Sequence, residues 1–250
     1  MTERELTELK KSAEAGDAEA QYGLACYYSE QAQAKRDALS QEILSGSPMM
    51  RWPSSIGERN YFDRIVEEEY AEAFRLFECA ARQGHLGAIY ELSLCYASGK
   101  GTALYPEKAR LLLKEAAEKG YAPAQYDLGM LTYFGKPKGP NNLVEVKPDY
   151  IASVKWFKRA AEQNYPLAQY YLGVCYEEGK GVEQDFFEAF RLFERAAEAG
   201  LLWAACALGR CYELGRGTNI DLERALKWYA AAAESGDAEA AEALERLKEE

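Results

Sequence analysis

The chain has 250 residues, 48% hydrophobic, 28% charged and 12% aromatic, a composition that excludes a disordered, collagenous or low-complexity polypeptide. Thirty Lys and Arg against 41 Asp and Glu leave a formal charge of -11, so nucleic acid and anionic membrane are not expected as principal partners, because both repel an acidic surface. The start is charged from its third residue, no stretch approaches the roughly 18 apolar residues of a membrane span, and membrane insertion is not expected.

The one histidine, His85, rules out a multi-histidine metal site and leaves a single position for a histidine general base. The cysteines Cys26, Cys79, Cys95, Cys175, Cys206 and Cys211 contain no Cys-x-x-Cys pair. Zinc and redox motifs are therefore missing, no cofactor is expected, and the thiols read as buried and reduced in a cytoplasmic chain. Nothing in the sequence fixes an oligomeric state.

Self-similarity decides the architecture before any single helix does. Ala80-Ala81-x-x-Gly84 returns at Ala116 to Gly120, Ala160 to Asn164, Ala196 to Gly200 and Ala232 to Gly236, a period of 36 interrupted by insertions of 32 and 8 residues. In chain order, residues 1–16 hold a capping helix, with Thr2 and Glu5 at the spacing of a capping box. Repeat 1 covers 17–84 with an insertion at about 31–66, whose first part, 31–44, suits an extra helix. Repeat 2 covers 85–120, repeat 3 covers 121–164 with an insertion at about 136–149, repeat 4 covers 165–200 and repeat 5 covers 201–236. Residues 237–250 form a second capping helix with a charged outer side, and the whole chain reads as a single domain.

Each repeat has the same internal pattern. Four residues after the boundary come Ala20, Ala88, Ala124, Ala168, Ala204 and Ala240, and eight after come Leu24, Leu92, Leu128, Leu172, Leu208 and Leu244, the inward stripe of a helix A. The pairs Gly99 and Gly101, Gly179 and Gly181, and Gly215 and Gly217 end helix A and let the chain reverse. Helix B then carries small residues at Ala73, Ala109, Ser153, Ala189 and Ala225, and bulky ones at Phe77, Leu113, Phe157, Phe193 and Tyr229. Five helical hairpins make the fold class all-α.

At Leu208-Gly209-Arg210-Cys211-Tyr212-Glu213-Leu214-Gly215-Arg216-Gly217 and Leu172-Gly173-Val174-Cys175-Tyr176-Glu177-Glu178-Gly179-Lys180-Gly181 the chain resembles the Sel1-like repeats, relatives of the tetratricopeptide repeats. The period of 36 favours this family over the 34 of the tetratricopeptide repeat. The resemblance implies a right-handed α/α solenoid that works as an adaptor or scaffold for peptides or folded partners, with no catalytic residues. Some secreted bacterial members carry a disulfide in each repeat, and the cysteine pairing that this needs is missing here.

Candidate binding residues lie in the columns that face away from the inward stripe. Six after the boundary stand Tyr22, Tyr90, Tyr126 and Tyr170, either a ladder that grips an extended peptide on the concave surface or a set of wedges between repeats. Thirteen after stand Tyr133, Glu177 and Glu213, the two carboxylates able to receive basic partner residues or simply to be solvated. Arg51 and Trp52, within Met49-Met50-Arg51-Trp52-Pro53, combine adaptable and aromatic contacts in the first insertion. The expected function is a non-enzymatic adaptor that binds a peptide or protein. The alternatives are a carboxylate-based or β-lactam-interacting hydrolase, for which no Ser-x-x-Lys motif is present, and a structural subunit of a larger assembly. His85, directly after a boundary, reads as a turn residue.

Overall fold

Helix ends account for the period. The computed structural model describes residues 1–44, 66–135 and 147–249, and the boundary residues of the sequence sit just past the ends of helices, with a positive φ at Gly16, Gly84, Gly120, Gly200 and Gly236 and, alone among described non-glycine residues, at Asn164. After Gly84, the His85 amide reaches back to the Ala80 carbonyl at 3.1 Å, and the Gly84 amide bonds that of Ala81 at 2.9 Å. These are the two bonds of a Schellman cap, and the same pair recurs after Asn164, Gly200 and Gly236. The paired alanines thus supply both the capping carbonyls and a close-packed last turn.

Among the described residues there are twelve α-helices and no strand. They form two compact units, Met1–Lys119 and Gly120–Glu250, dividing at a boundary glycine. In the first unit, α1 (Glu3–Glu14) precedes the pair α2 (Ala18–Leu44) and α3 (Glu67–Arg82), followed by α4 (Leu86–Ser98) and α5 (Pro106–Glu118). In the second, α6 (Ala122–Phe134) pairs with α7 (Tyr150–Glu162), α8 (Pro166–Glu178) with α9 (Phe186–Glu198), and α10 (Leu202–Leu214) with α11 (Leu222–Glu234), and α12 (Ala238–Glu249) follows.

The expected capping box starts α1: Thr2 Oγ1 accepts from the Glu5 amide at 3.3 Å, and the Thr2 amide donates to the Glu5 carboxylate at 2.7 Å. Asp17, His85 and Asp237 each accept from the amide three residues on, capping α2, α4 and α12. His85 is therefore an N-cap, its Nδ1 taking the Ala88 amide at 3.1 Å while Nε2 lies 3.0 Å from Glu19. One expectation needs refining. Residues 31–44 are helical, yet they prolong α2 without a break instead of forming a separate helix, because no glycine pair ends helix A there.

Within a hairpin the small column of helix A meets the bulky column of helix B. A Cβ at Gly173 would lie 2.6 Å from the Phe193 ring, so glycine is what lets α8 approach α9 and bury Phe193 completely. Between successive repeats of one unit, the second glycine of each pair has a role beyond the reversal expected of it. At Gly181, with φ of +71°, a Cβ would sit 2.3 Å from the Tyr150 carbonyl oxygen at the start of the preceding helix B. Lys180, the residue between the two glycines, lies 5.5 Å over the ring of that same Tyr150. Gly101 with Lys100 meets Tyr70 in the same way, and Gly217 with Arg216 meets Phe186. The turn grips its predecessor by backbone contact and by a cation over a ring face.

Candidate functional site

In an array of hairpins, partner-facing residues are those left over once both sides of helix A have been packed. In the unit Gly120–Glu250 that packing uses more of helix A than a one-sided stripe would. On α10, Ala204, Ala205, Cys206, Ala207 and Leu208 are all buried, so the helix is covered on two sides.

The three candidate residues of the column thirteen after the boundary are drawn into this packing. Tyr133 is 8% exposed, in edge contact with Tyr150 at 5.3 Å, and its hydroxyl accepts from Lys180 Nζ at 3.2 Å. Glu177 is 9% exposed and accepts from Arg210 at 3.1 Å and from Arg216 at 2.9 Å, both in the next repeat. Glu213 accepts from the Tyr229 hydroxyl at 2.7 Å and from Arg246 of α12. The outward acidic column expected for a partner is thus consumed by the chain's own donors, because residues thirteen positions along helix A face the following repeat rather than solvent.

The tyrosines six after the boundary are half-buried and fill the wedge beside helix B. Tyr22 stacks on His85 at 4.3 Å and lies 6.0 Å from Phe77. Tyr126 lies 5.5 Å from Tyr165 and 5.9 Å from Tyr171, and burial followed by the neighbouring Tyr171 pushes its hydroxyl above the ordinary tyrosine range. Tyr170 packs on Phe193 at 5.7 Å and on Trp203 at 6.4 Å, its hydroxyl also raised by burial. Tyr90 is half-buried on α4. Each of these four tyrosines keeps part of its surface exposed. Arg51 and Trp52 lie outside the described residues, as does 136–146 of the second insertion.

Counting along the sequence missed two exposed apolar side chains of helix A. Trp203 is 54% exposed and Leu202 is 46% exposed, both at the start of α10. The signal was present, since position three after the boundary reads Leu167, Trp203 and Glu239 on α8, α10 and α12, but it does not repeat a residue type and so escapes a search for repeats. A cavity of about 300 Å³ opens between α10, α11 and α12, among its lining Arg210, Leu214, Glu239, Glu242 and Arg246. Arg210 is bound there to Glu177 and Glu239, each at 3.1 Å.

Comparisons with known proteins agree with this architecture. The chitin synthase regulator SKT5 of Saccharomyces cerevisiae is 37% identical over 114 residues, 44% of this chain and 16% of that protein. The DAP3-binding cell death enhancer 1 of Rattus norvegicus is 29% identical over 161 residues, 49% of this chain and 30% of that protein. The chain therefore spans less than a third of the length of these curated relatives. Among solved structures, c5321, a protective antigen of uropathogenic Escherichia coli with an SLR fold, is 31% identical with a TM-score of 0.64, over 93% of this chain and 41% of that one. A Sel1 repeat protein from Oxalobacter formigenes is 28% identical with a TM-score of 0.60, over 90% and 86% of the two chains. The family model for the Sel1 repeat matches residues 18–39, 56–85, 87–121, 122–165, 166–201 and 204–237, so the span read above as repeat 1 with an insertion carries two of six matches. Most of the chain falls within those six segments, and it belongs to the Sel1 repeat family.

Proposed function

We propose that the protein is a non-enzymatic adaptor that binds a peptide or protein segment on the helix A face of the unit Gly120–Glu250. The observation that carries this reading is exposed Trp203 against half-buried Tyr170 at 6.4 Å, with exposed Leu202 next to it in the chain. Family membership supports an interaction role, and two relatives bear names of that kind, a chitin synthase regulator and a DAP3-binding protein. Tyr22 and Tyr90 in the first unit, and Tyr126 and Tyr170 in the second, contribute only the surface that packing leaves exposed. Glu177, Glu213 and Tyr133 are left out of the surface because their polar groups are taken. The six free thiols suit a reducing compartment such as the cytoplasm.

The test begins with affinity capture from the source cell, followed by calorimetry with the purified captured protein. Direct binding that Trp203→Ala weakens by about tenfold or more, with an unchanged thermal transition, supports the surface. Undiminished binding by that variant overturns it. A structural-subunit reading draws on Ile151 and Phe187, exposed at the starts of α7 and α9. It predicts the opposite result, loss of association on changing those two residues and none on changing Trp203.

A further inference from the structure

We infer that the segment received on this face is basic, with apolar side chains seated against Leu167, Tyr170 and Trp203 and a lysine or arginine held at Glu242 and Glu245. The inference rests on the surface proposed above and adds the chemistry of its occupant. Three positions of the face can be followed from α8 to α10 to α12: Leu167, Trp203 and Glu239; Tyr170, Cys206 and Glu242; Val174, Arg210 and Arg246. Across that short distance the face turns from apolar to charged. The sign of the charge is decided by what is already paired. Arg210 is held by Glu177 and Glu239, and Arg246 by Glu213, so both cations are neutralised within the chain. Glu239 is occupied by Arg210 in turn, which leaves Glu242, exposed at the cavity, and Glu245, a second exposed carboxylate on α12.

A segment with acidic residues would meet carboxylates there. A wholly apolar one would leave its end against charged groups, at a cost in desolvation with no compensating bond. A cationic side chain next to an apolar anchor satisfies both halves, the anchor supplying affinity and the cation supplying register and discrimination. The exposed Trp203 and the exposed carboxylates of α12 thus act together, neither being distinctive alone.

A random peptide library displayed on phage, selected on the full chain, tests the inference. The expected outcome is enrichment of peptides combining large apolar residues with Lys or Arg. The double variant Glu242→Gln with Glu245→Gln should weaken their binding about tenfold, and raised salt should do the same. Enrichment of neutral or acidic peptides, or affinity unchanged in the glutamine variant, overturns the charge assignment and leaves α12 as a solubilising end. If those peptides still lose affinity in Trp203→Ala, the surface stands and only its chemistry was misread. If nothing enriched depends on Trp203, the surface itself falls.

Discussion

Glu177 and Arg210 illustrate how a charged residue counted as outward along helix A becomes interior once repeats stack. Replacing Glu177 with Ala leaves Arg210 and Arg216 without their shared acceptor, and we expect a loss of about 2 kcal/mol in the urea unfolding of the full chain. A second residue-level network has a gap. Gln83 and Gln163, next to the boundary, donate at 2.8 Å to Gln21 and Gln125 on helix A of the same repeat. In repeat 4 the corresponding residue is Ala199, and Gln169, 2% exposed, is left with an unpartnered buried Oε1. Ala199→Gln should supply that donor and raise stability by about 1 kcal/mol, read as a higher melting temperature. The buried thiols make a pH prediction. Burial pushes Cys95, Cys175, Cys206 and Cys211 up to about 12 from an ordinary 9.0, with neighbouring carboxylates adding to the shift. Their folded state holds its protons where the unfolded chain has released them. The stabilisation is complete below about pH 9 and is lost as pH rises toward 12, so the denaturant midpoint should fall across that window, less steeply after Cys175→Ala. None of these pairings is written in the columns, because a repeat search scores likeness between copies whereas a hydrogen bond requires two unlike residues.

At the scale of elements, the hairpins were legible because alanine, leucine and glycine columns report backbone approach directly. Ala168, Ala204 and Ala240 are fully buried as the inward stripe requires. What stayed hidden was the division of labour within the glycine pair. The first glycine caps its helix, while the second fits a space that a side chain would fill. Gly181→Ala should therefore cost about 3 kcal/mol, from a left-handed backbone and a clash with the Tyr150 carbonyl together, and Lys180→Met should cost less than 1 kcal/mol through loss of the cation over the ring. Differential scanning calorimetry of the two variants separates the backbone contribution from the cationic one, and equal losses would show that the glycine is needed only for reversal. The surface was less legible than the fold. Columns that repeat are recruited to stacking, so the residue proposed for binding, Trp203, stands out by failing to recur.

For the molecule as a whole, the two compact units make a direct prediction. Residues 120–250, expressed alone, contain the core around Phe157 and Leu172 and the core around Phe193, Leu208 and Tyr229, and should give a helical, cooperatively unfolding product. A molten fragment without a thermal transition would show that the division has no energetic meaning. The grip between turn and preceding helix has a further consequence for how such a chain changes over evolutionary time. Repeat 4 carries both halves of the contact, Phe186 at the start of helix B and the turn Gly179-Lys180-Gly181 before it, so a duplication of that whole period inherits a working joint. An enlargement at the hairpin tip does not. Repeats 1 and 3, the two that hold inserted residues, are also the two without a second glycine, and Gly135 leaves its helix at ψ of -157° where Gly179 continues at 27°. A tip is therefore available either for joining or for diversification, and growth by whole periods and growth by insertion compete for the same few residues.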